Sequence, residues 1–352
     1  MPDVKQPWVG IVATALVVAG ALGFVSLFGF PVFTGWVSYF LLSVIPMQIV
    51  MAVTWGSNPS FATTQTQPVK GVLLTLTALV VGVIVATLGF MTIGGSISPP
   101  TPMLIMCSIV SVVVTFWAAI MWGGWPFTTI IKSPIVAGLT MLAVCYLVNF
   151  ALFRVLFDYG FMQGAPVYVA AQDPHGWFPA WHALVFYLTC LSAMFVIVNF
   201  DLWPLTNFPG VMRQPRLGAV WTLIVLVLGG SAFFVGVSVM GMDPVAFMVR
   251  VPVPFIFGTI VVQNMLKGSL FATQTQPVKG VLNVAAVIVI GQALSRMYGS
   301  LAPTVTGTVR PGPPAYDFEI WLASALLSVT FPFLIFYAEF FQLWPFKTRQ
   351  QP

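Results

Sequence analysis

The chain has 352 residues, of which 59% are hydrophobic and only 6% are charged, with a mean hydropathy of +0.99. Soluble domains carry about 25% charged residues, so a soluble globular protein, a disordered chain and a disulfide scaffold are all excluded. The net charge of +5 comes from 13 basic and 8 acidic residues spread along the chain; no Lys/Arg cluster forms a nucleic-acid surface, and no nucleic-acid partner is expected.

A membrane-crossing helix needs about 20 apolar residues. Ten such runs occur in chain order, at 7–29, 36–55, 70–93, 102–124, 134–157, 180–202, 215–240, 245–267, 279–299 and 317–343. The first is longer than a signal-peptide core and is not followed by a small-residue cleavage pattern, so it reads as a retained span. Only helices or closed barrels satisfy their backbone in lipid. Continuous apolar runs lack the alternation of a barrel strand, so all ten are expected to be helices in one membrane domain, 1–352.

Ten spans put both termini on one side. That side carries Lys5, Lys70, Lys132, Arg213, Arg216, Lys267, Lys279, Lys347 and Arg349, nine of the thirteen basic residues. Most acids fall in the opposite loops: Asp158, Asp173, Asp243, Asp317 and Glu319. The positive-inside rule then predicts cytoplasmic termini. The minimal loops and the lack of an Asn-x-Ser/Thr acceptor suit a bacterial inner membrane.

Self-similarity at a fixed position in the spans points to repeats. Phe61-Ala62-Thr63-Thr64-Gln65-Thr66-Gln67-Pro68-Val69-Lys70-Gly71 returns as Phe271-Ala272-Thr273-Gln274-Thr275-Gln276-Pro277-Val278-Lys279-Gly280. Looser versions, Gln6-Pro7 to Gly10, Ser133-Pro134 to Gly138 and Gln214-Pro215 to Gly218, open the other odd-numbered spans. Trp125-Pro126, Trp203-Pro204 and Trp344-Pro345 follow even-numbered ones, and Gln350-Gln351-Pro352 resembles the start of another unit. The expectation is five helical hairpins, at approximately 6–61, 67–127, 133–205, 214–271 and 276–346, arranged as parallel repeats about an axis along the membrane normal. Pro suits the first helical turn, the small residue after it admits a close helix contact, and Trp suits the headgroup level. The turn reads as a repeated interfacial element. Its two nearly identical copies also make Gln67, Lys70, Gln276 and Lys279 candidates for contact with a lipid headgroup or a partner subunit on the cytoplasmic face.

Charges avoid the midplane. Arg154 is expected near the far end of its helix, paired at i+4 with Asp158; Arg296 is also near an outer end, and Asp201 and Glu339 near the cytoplasmic interface. Arg250 reaches deepest, either neutralising an outer carboxylate or meeting an anionic group. Proton-coupled carriers and ion channels use charge at depth, whereas the middle here holds neutral polar groups such as Gln48, Asn149, Gln292 and Thr330. These bridge helices or line a path for a weakly polar solute. Prolines interrupt spans at Pro46, Pro252, Pro254 and Pro332, and broken helices mark binding sites in many carriers. The span holding Arg250, Pro252, Pro254, Thr259, Gln263 and Asn264 is the strongest site candidate. The candidate path is therefore Arg250, Thr259, Gln263, Asn264, Gln48, Asn149 and Gln292.

The longest outer loop contains Asp173, His175 and His182. The two histidines are seven apart with Gly176 and Pro179 between them, so the loop reads as an aromatic cap with solvated imidazoles rather than a metal site. Cys107, Cys145 and Cys190 lie far apart in apolar runs and read as packing residues. Nucleophile-elbow, Walker, H-E-x-x-H and dinucleotide motifs are lacking, so neither catalytic residues nor a cofactor or metal is expected. The sequence points to a permease for a small neutral or weakly charged solute, with a membrane anchor or scaffold subunit of a larger complex as the alternative. Its environment is the lipid bilayer, with a homo-oligomer or partner membrane subunits also in view.

Overall fold

The computed structural model describes residues 5–346; Lys347, Arg349 and the Gln350-Gln351-Pro352 segment lie outside the described residues. Apart from one two-residue ladder, the regular structure of the described residues is helical. Among the described residues, ten helices are long and apolar enough to cross a membrane: α1 Trp8–Val25, α2 Phe30–Thr54, α3 Val69–Thr92, α4 Pro102–Met121, α5 Pro134–Leu156, α6 Ala180–Asn199, α7 Arg216–Val239, α8 Pro244–Met265, α9 Val278–Val305 and α10 Asp317–Phe340. They fall on the ten expected runs. α2 begins earlier than its hydropathy indicates, at Phe30, because Gly29 is extended and Pro31 sits in the first turn. α9 runs on to Val305, through Ser300 and Pro303, where its polar end leaves the apolar run.

The helices form two layers. In α2, α4, α6, α8 and α10, between 67% and 78% of the most apolar stretch is buried; in the odd-numbered helices the share is 17% to 33%. The even helices touch in a closed cycle, α2 to α4, α4 to α6, α6 to α8, α8 to α10 and α10 back to α2. Aromatic rings fill the inside of this cycle: Phe116 of α4 meets Phe195 of α6 edge-on at 5.4 Å and Phe331 of α10 at 6.1 Å. The odd helices lie outside and turn leucine, valine and isoleucine outward, among them Leu76, Val80, Leu147, Leu223 and Val289.

One face of the bundle, here the near face, holds the beginnings of the odd helices and the ends of the even ones. Each odd helix is pressed there onto an even helix through a glycine with no room for a Cβ: Gly10 on Met265 and Leu266, Gly71 on Phe341, Gly138 on Trp55, Gly218 on Trp122 and Gly280 on Phe200. The glutamine before the proline completes the contact. Gln6 Nε2 donates to the Met265 carbonyl at 3.2 Å, Gln67 Nε2 to that of Phe340 at 2.6 Å and Gln214 Nε2 to that of Met121 at 2.9 Å. The same side chains turn back as caps: Gln67 Oε1 accepts from Gly71 N and Gln214 Oε1 from Gly218 N. α5 lacks the glutamine, and there the Trp55 indole donates to the Pro134 carbonyl at 2.9 Å. Four of the five even helices end in a π turn, at Val50–Thr54, Trp117–Met121, Val261–Met265 and Phe336–Phe340. Such a turn leaves its last carbonyls without intrahelical donors, and the glutamines above supply three of them.

At the far face, Phe157–Asp158 and Phe178–Pro179 pair as a two-residue parallel ladder that closes the loop between α5 and α6. The expected i+4 pair of Arg154 with Asp158 does not form. α5 stops at Leu156, so Asp158 sits on extended chain and leaves the helical face that Arg154 occupies.

Candidate functional site

The polar residues of α8 tie it to two neighbours, α6 and α10. Gln263 Nε2 donates to Asn199 Oδ1 of α6 at 2.8 Å, and Asn199 Nδ2 lies 3.4 Å from Thr259 Oγ1. Asn283 of α9 donates to the Asn199 carbonyl at 3.3 Å. At the next residue, Asn264 Nδ2 donates to Glu339 Oε1 of α10 at 3.0 Å, and Lys267 Nζ meets the same oxygen at 2.7 Å. Gln263 and Asn264 are adjacent in sequence yet serve different helices, α6 and α10.

α8 breaks at Val251, whose φ of −121° and ψ of −75° separate Pro244–Arg250 from Pro252–Ile260. Pro254 has no N–H for the Arg250 carbonyl, and Gln292 Nε2 of α9 fills that need at 2.7 Å. Gly291 against the Pro254 carbonyl and Gly258 against that of Val287 bring the two backbones into contact. The Arg250 side chain is exposed and forms no ion pair among the described residues, so the outer carboxylate expected beside it is missing. Gln48 is fully buried and donates to the Pro332 carbonyl at 3.1 Å; Asn149 donates to the Cys107 carbonyl at 3.1 Å. Their acceptor atoms, Gln48 Oε1 and Asn149 Oδ1, have no hydrogen-bond partner among the described residues. Thus Thr259 and Gln263 share one cluster, while Gln48, Asn149, Asn264 and Gln292 lie in four separate contacts.

On the near face, Gln67 bonds to α10 as described. Lys70 Nζ donates to Asn58 Oδ1 at 2.9 Å. Gln276 Nε2 and Lys279 Nζ both reach Asp201 Oδ2, at 2.9 and 2.6 Å. All four candidates for partner contact therefore have partners within the chain.

A sizeable cavity lies elsewhere. A groove of about 780 Å³ runs between α5 and α7, floored by α4 and α6. On α5 its wall runs from Val144 to Leu156, about 18 Å along the helix. Trp122, Trp125 and Phe127 stand at its near end, Phe178 and His182 at its far end, and Trp117, Phe186, Tyr187 and Phe233 between. The indole N–H groups of Trp117 and Trp122 both point to Thr222 Oγ1 of α7, at 3.0 and 3.3 Å. Their polar atoms are therefore spent on the wall. Gly218 on Trp122 and Gly229 on Cys190 fix α7 to the floor, and Gly138 fixes α5 to α2, so backbone-close contacts hold the walls apart. His182 is the one titratable ring in the groove besides Tyr187. Sequence reading missed this site, because its residues come from four helices; the density of aromatics at 116–127 and 177–187 was the local trace of it.

The loop between α5 and α6 folds around Asp173. Its Oδ1 accepts from the backbone N–H of Tyr159 and His175 at 3.1 and 3.0 Å, and its Oδ2 from the Tyr168 hydroxyl at 2.9 Å. His175 Nδ1 lies 3.4 Å from Asp173 and 3.9 Å from Asp158. The imidazole is solvated, as the cap reading expected, but its neighbours are these two carboxylates, while His182 belongs to the groove. Burial holds the Tyr159 hydroxyl well above the usual tyrosine range, with the Cys107 and Asp173 charges acting in the same direction.

Comparison with known proteins adds no assignment: no family model, curated protein or solved structure matches this chain.

Proposed function

We propose that the protein is a membrane scaffold that holds an elongated apolar ligand, a pigment or long-chain lipid, in the groove between α5 and α7. The groove carries this reading: it is deep, mostly apolar, rich in aromatic faces and kept open by glycine contacts, which are the usual properties of a ligand site. The ring of even helices supports holding over conduction, since Phe116, Phe195 and Phe331 pack inside it. The architecture behind the proposal is five parallel-repeat hairpins around an axis along the membrane normal, with both termini cytoplasmic in a bacterial inner membrane. Its support is the near-face pattern, in which each odd helix meets the even helix two positions behind the one that precedes it, α3 on α10 and α5 on α2 among them, together with the bias of basic residues.

The test is native mass spectrometry with an absorption spectrum on protein extracted gently from its own membrane. Wild type retains a stoichiometric apolar molecule, and Val148→Trp, which fills the groove from its lipid-exposed wall, releases it without loss of fold. A ligand-free wild type, or a ligand retained equally by Val148→Trp, overturns the reading.

A permease for a small neutral solute is the second reading. The unpartnered buried oxygens of Gln48 and Asn149 and the break in α8 favour it. It predicts that replacing Arg250, Gln263 and Asn264 together by alanine alters flux in vesicles; unchanged flux sinks that path.

A further inference from the structure

We propose that Asp158, Asp173 and His175 form a binding site for a first-row divalent cation, of the Zn2+ type, on the far face. The three side chains offer ligand atoms that all lie within 4.8 Å of one another. Donors bound to one such ion at about 2.0–2.2 Å stand some 3–4 Å apart, and the two contacts of His175 Nδ1, at 3.4 and 3.9 Å, already have that spacing.

Charge supplies an independent argument. The Asp173 side chain is fully buried and Asp158 only 35% exposed, yet neither forms an ion pair with a lysine or arginine among the described residues. The three groups that donate to Asp173 are neutral, and His175 is the one side chain capable of positive charge beside the pair, so there is room for a further positive charge here. A divalent cation provides it and leaves the imidazole neutral, the form in which its nitrogen is a ligand. Oxygen donors with one imidazole suit Zn2+ or Mn2+; Ca2+ asks for six to eight oxygens. The surroundings also fit. Tyr168 orients the Asp173 oxygen that faces His175, as partners behind a metal ligand do. Asp158 is held in the short ladder with Phe178–Pro179. The chain binding the cation would thereby pin the longest loop over the far end of the bundle.

The experiment is Zn2+ titration of the chelator-treated full-length protein in detergent, read by calorimetry and by the shift in thermal unfolding. One Zn2+ per chain is expected. His175→Ala and Asp158→Asn should each weaken binding by more than about tenfold, since even a lost outer-sphere partner of a ligand costs about 10–100-fold. His182→Ala, whose ring lies in the groove, should bind as wild type does, which separates this site from adventitious histidine binding. Failure of wild type to bind saturably, equal binding by His175→Ala, or a preference for Ca2+ over Zn2+ overturns the proposal. The groove plays no part in this test, so its outcome is independent of the scaffold reading.

Discussion

The side-chain amide of Gln292 on α9 donates to the backbone carbonyl of Arg250 on α8 at 2.7 Å, at the point where α8 breaks. The bond answers a defect written in the sequence. Pro254 cannot donate to Arg250, and lipid offers no substitute. Gln292→Leu keeps the volume and removes the donor. Helix-to-helix hydrogen bonds in membranes are worth about 0.6–1.7 kcal/mol, so a loss of about that size is expected in unfolding by denaturing detergent. A variant as stable as wild type would mean that the break satisfies itself.

Gly291 meets the Pro254 carbonyl with no space for a side chain, whereas nothing lies within 4 Å of a Cβ added at Gly20. Gly291→Leu should therefore cost about 1–3 kcal/mol or more, as overpacking does. Gly20→Ala should be neutral or slightly stabilising. Paired thermal-shift measurements decide the matter, and equal effects would show that α8 and α9 are not in backbone contact.

Gln67 makes two bonds at once, to the Phe340 carbonyl and from Gly71 N. Lys279 makes one ion pair, with an Asp201 side chain that is 52% exposed. Gln67→Ala is expected to cost about 1–2 kcal/mol, because it orphans buried backbone groups. Lys279→Ala is expected to cost less than about 1 kcal/mol and to matter less at high salt. The reverse order would relocate the strength of the near face to its charges.

The Tyr316 hydroxyl donates to Asp243 Oδ2 at 2.7 Å. Burial first, then the hydrogen bond and charge of Asp243 and the charge of Glu319, push it from 10.0 up to about 12. The folded chain thus holds this proton more tightly than the unfolded chain. The resulting stability is complete below pH 10 and is lost as the pH rises through about 12. Unfolding followed across that window should fall more steeply for wild type than for Tyr316→Phe; parallel curves would remove Tyr316 from the linkage.

Much of the fold was legible because its main signal is local. A run of about 20 apolar residues must cross lipid as a helix wherever it sits, which is why ten spans could be marked with most ends close to those observed. Gly71 and Gly280 likewise announced close contact through their place after Pro68 and Pro277. Hydropathy could not say which helices lie inside, since α3 and α8 are both apolar although one faces outward and the other is mostly buried.

The sequence by itself therefore determined the number and kind of the helices and the residue types at their ends, all properties of short segments in a uniform apolar solvent. Tertiary structure alone decided the partners. Asp158 was drawn from its helical neighbour Arg154 to His175 because α5 ends two residues too soon, and Gln263 and Asn264 were sent to opposite helices. Trp117, Val148, Phe186 and Phe233, far apart along the chain, became one groove because α5 and α7 are seated on glycines that hold them apart. Such sites depend on distances between segments, and those are set only when all ten helices pack at once.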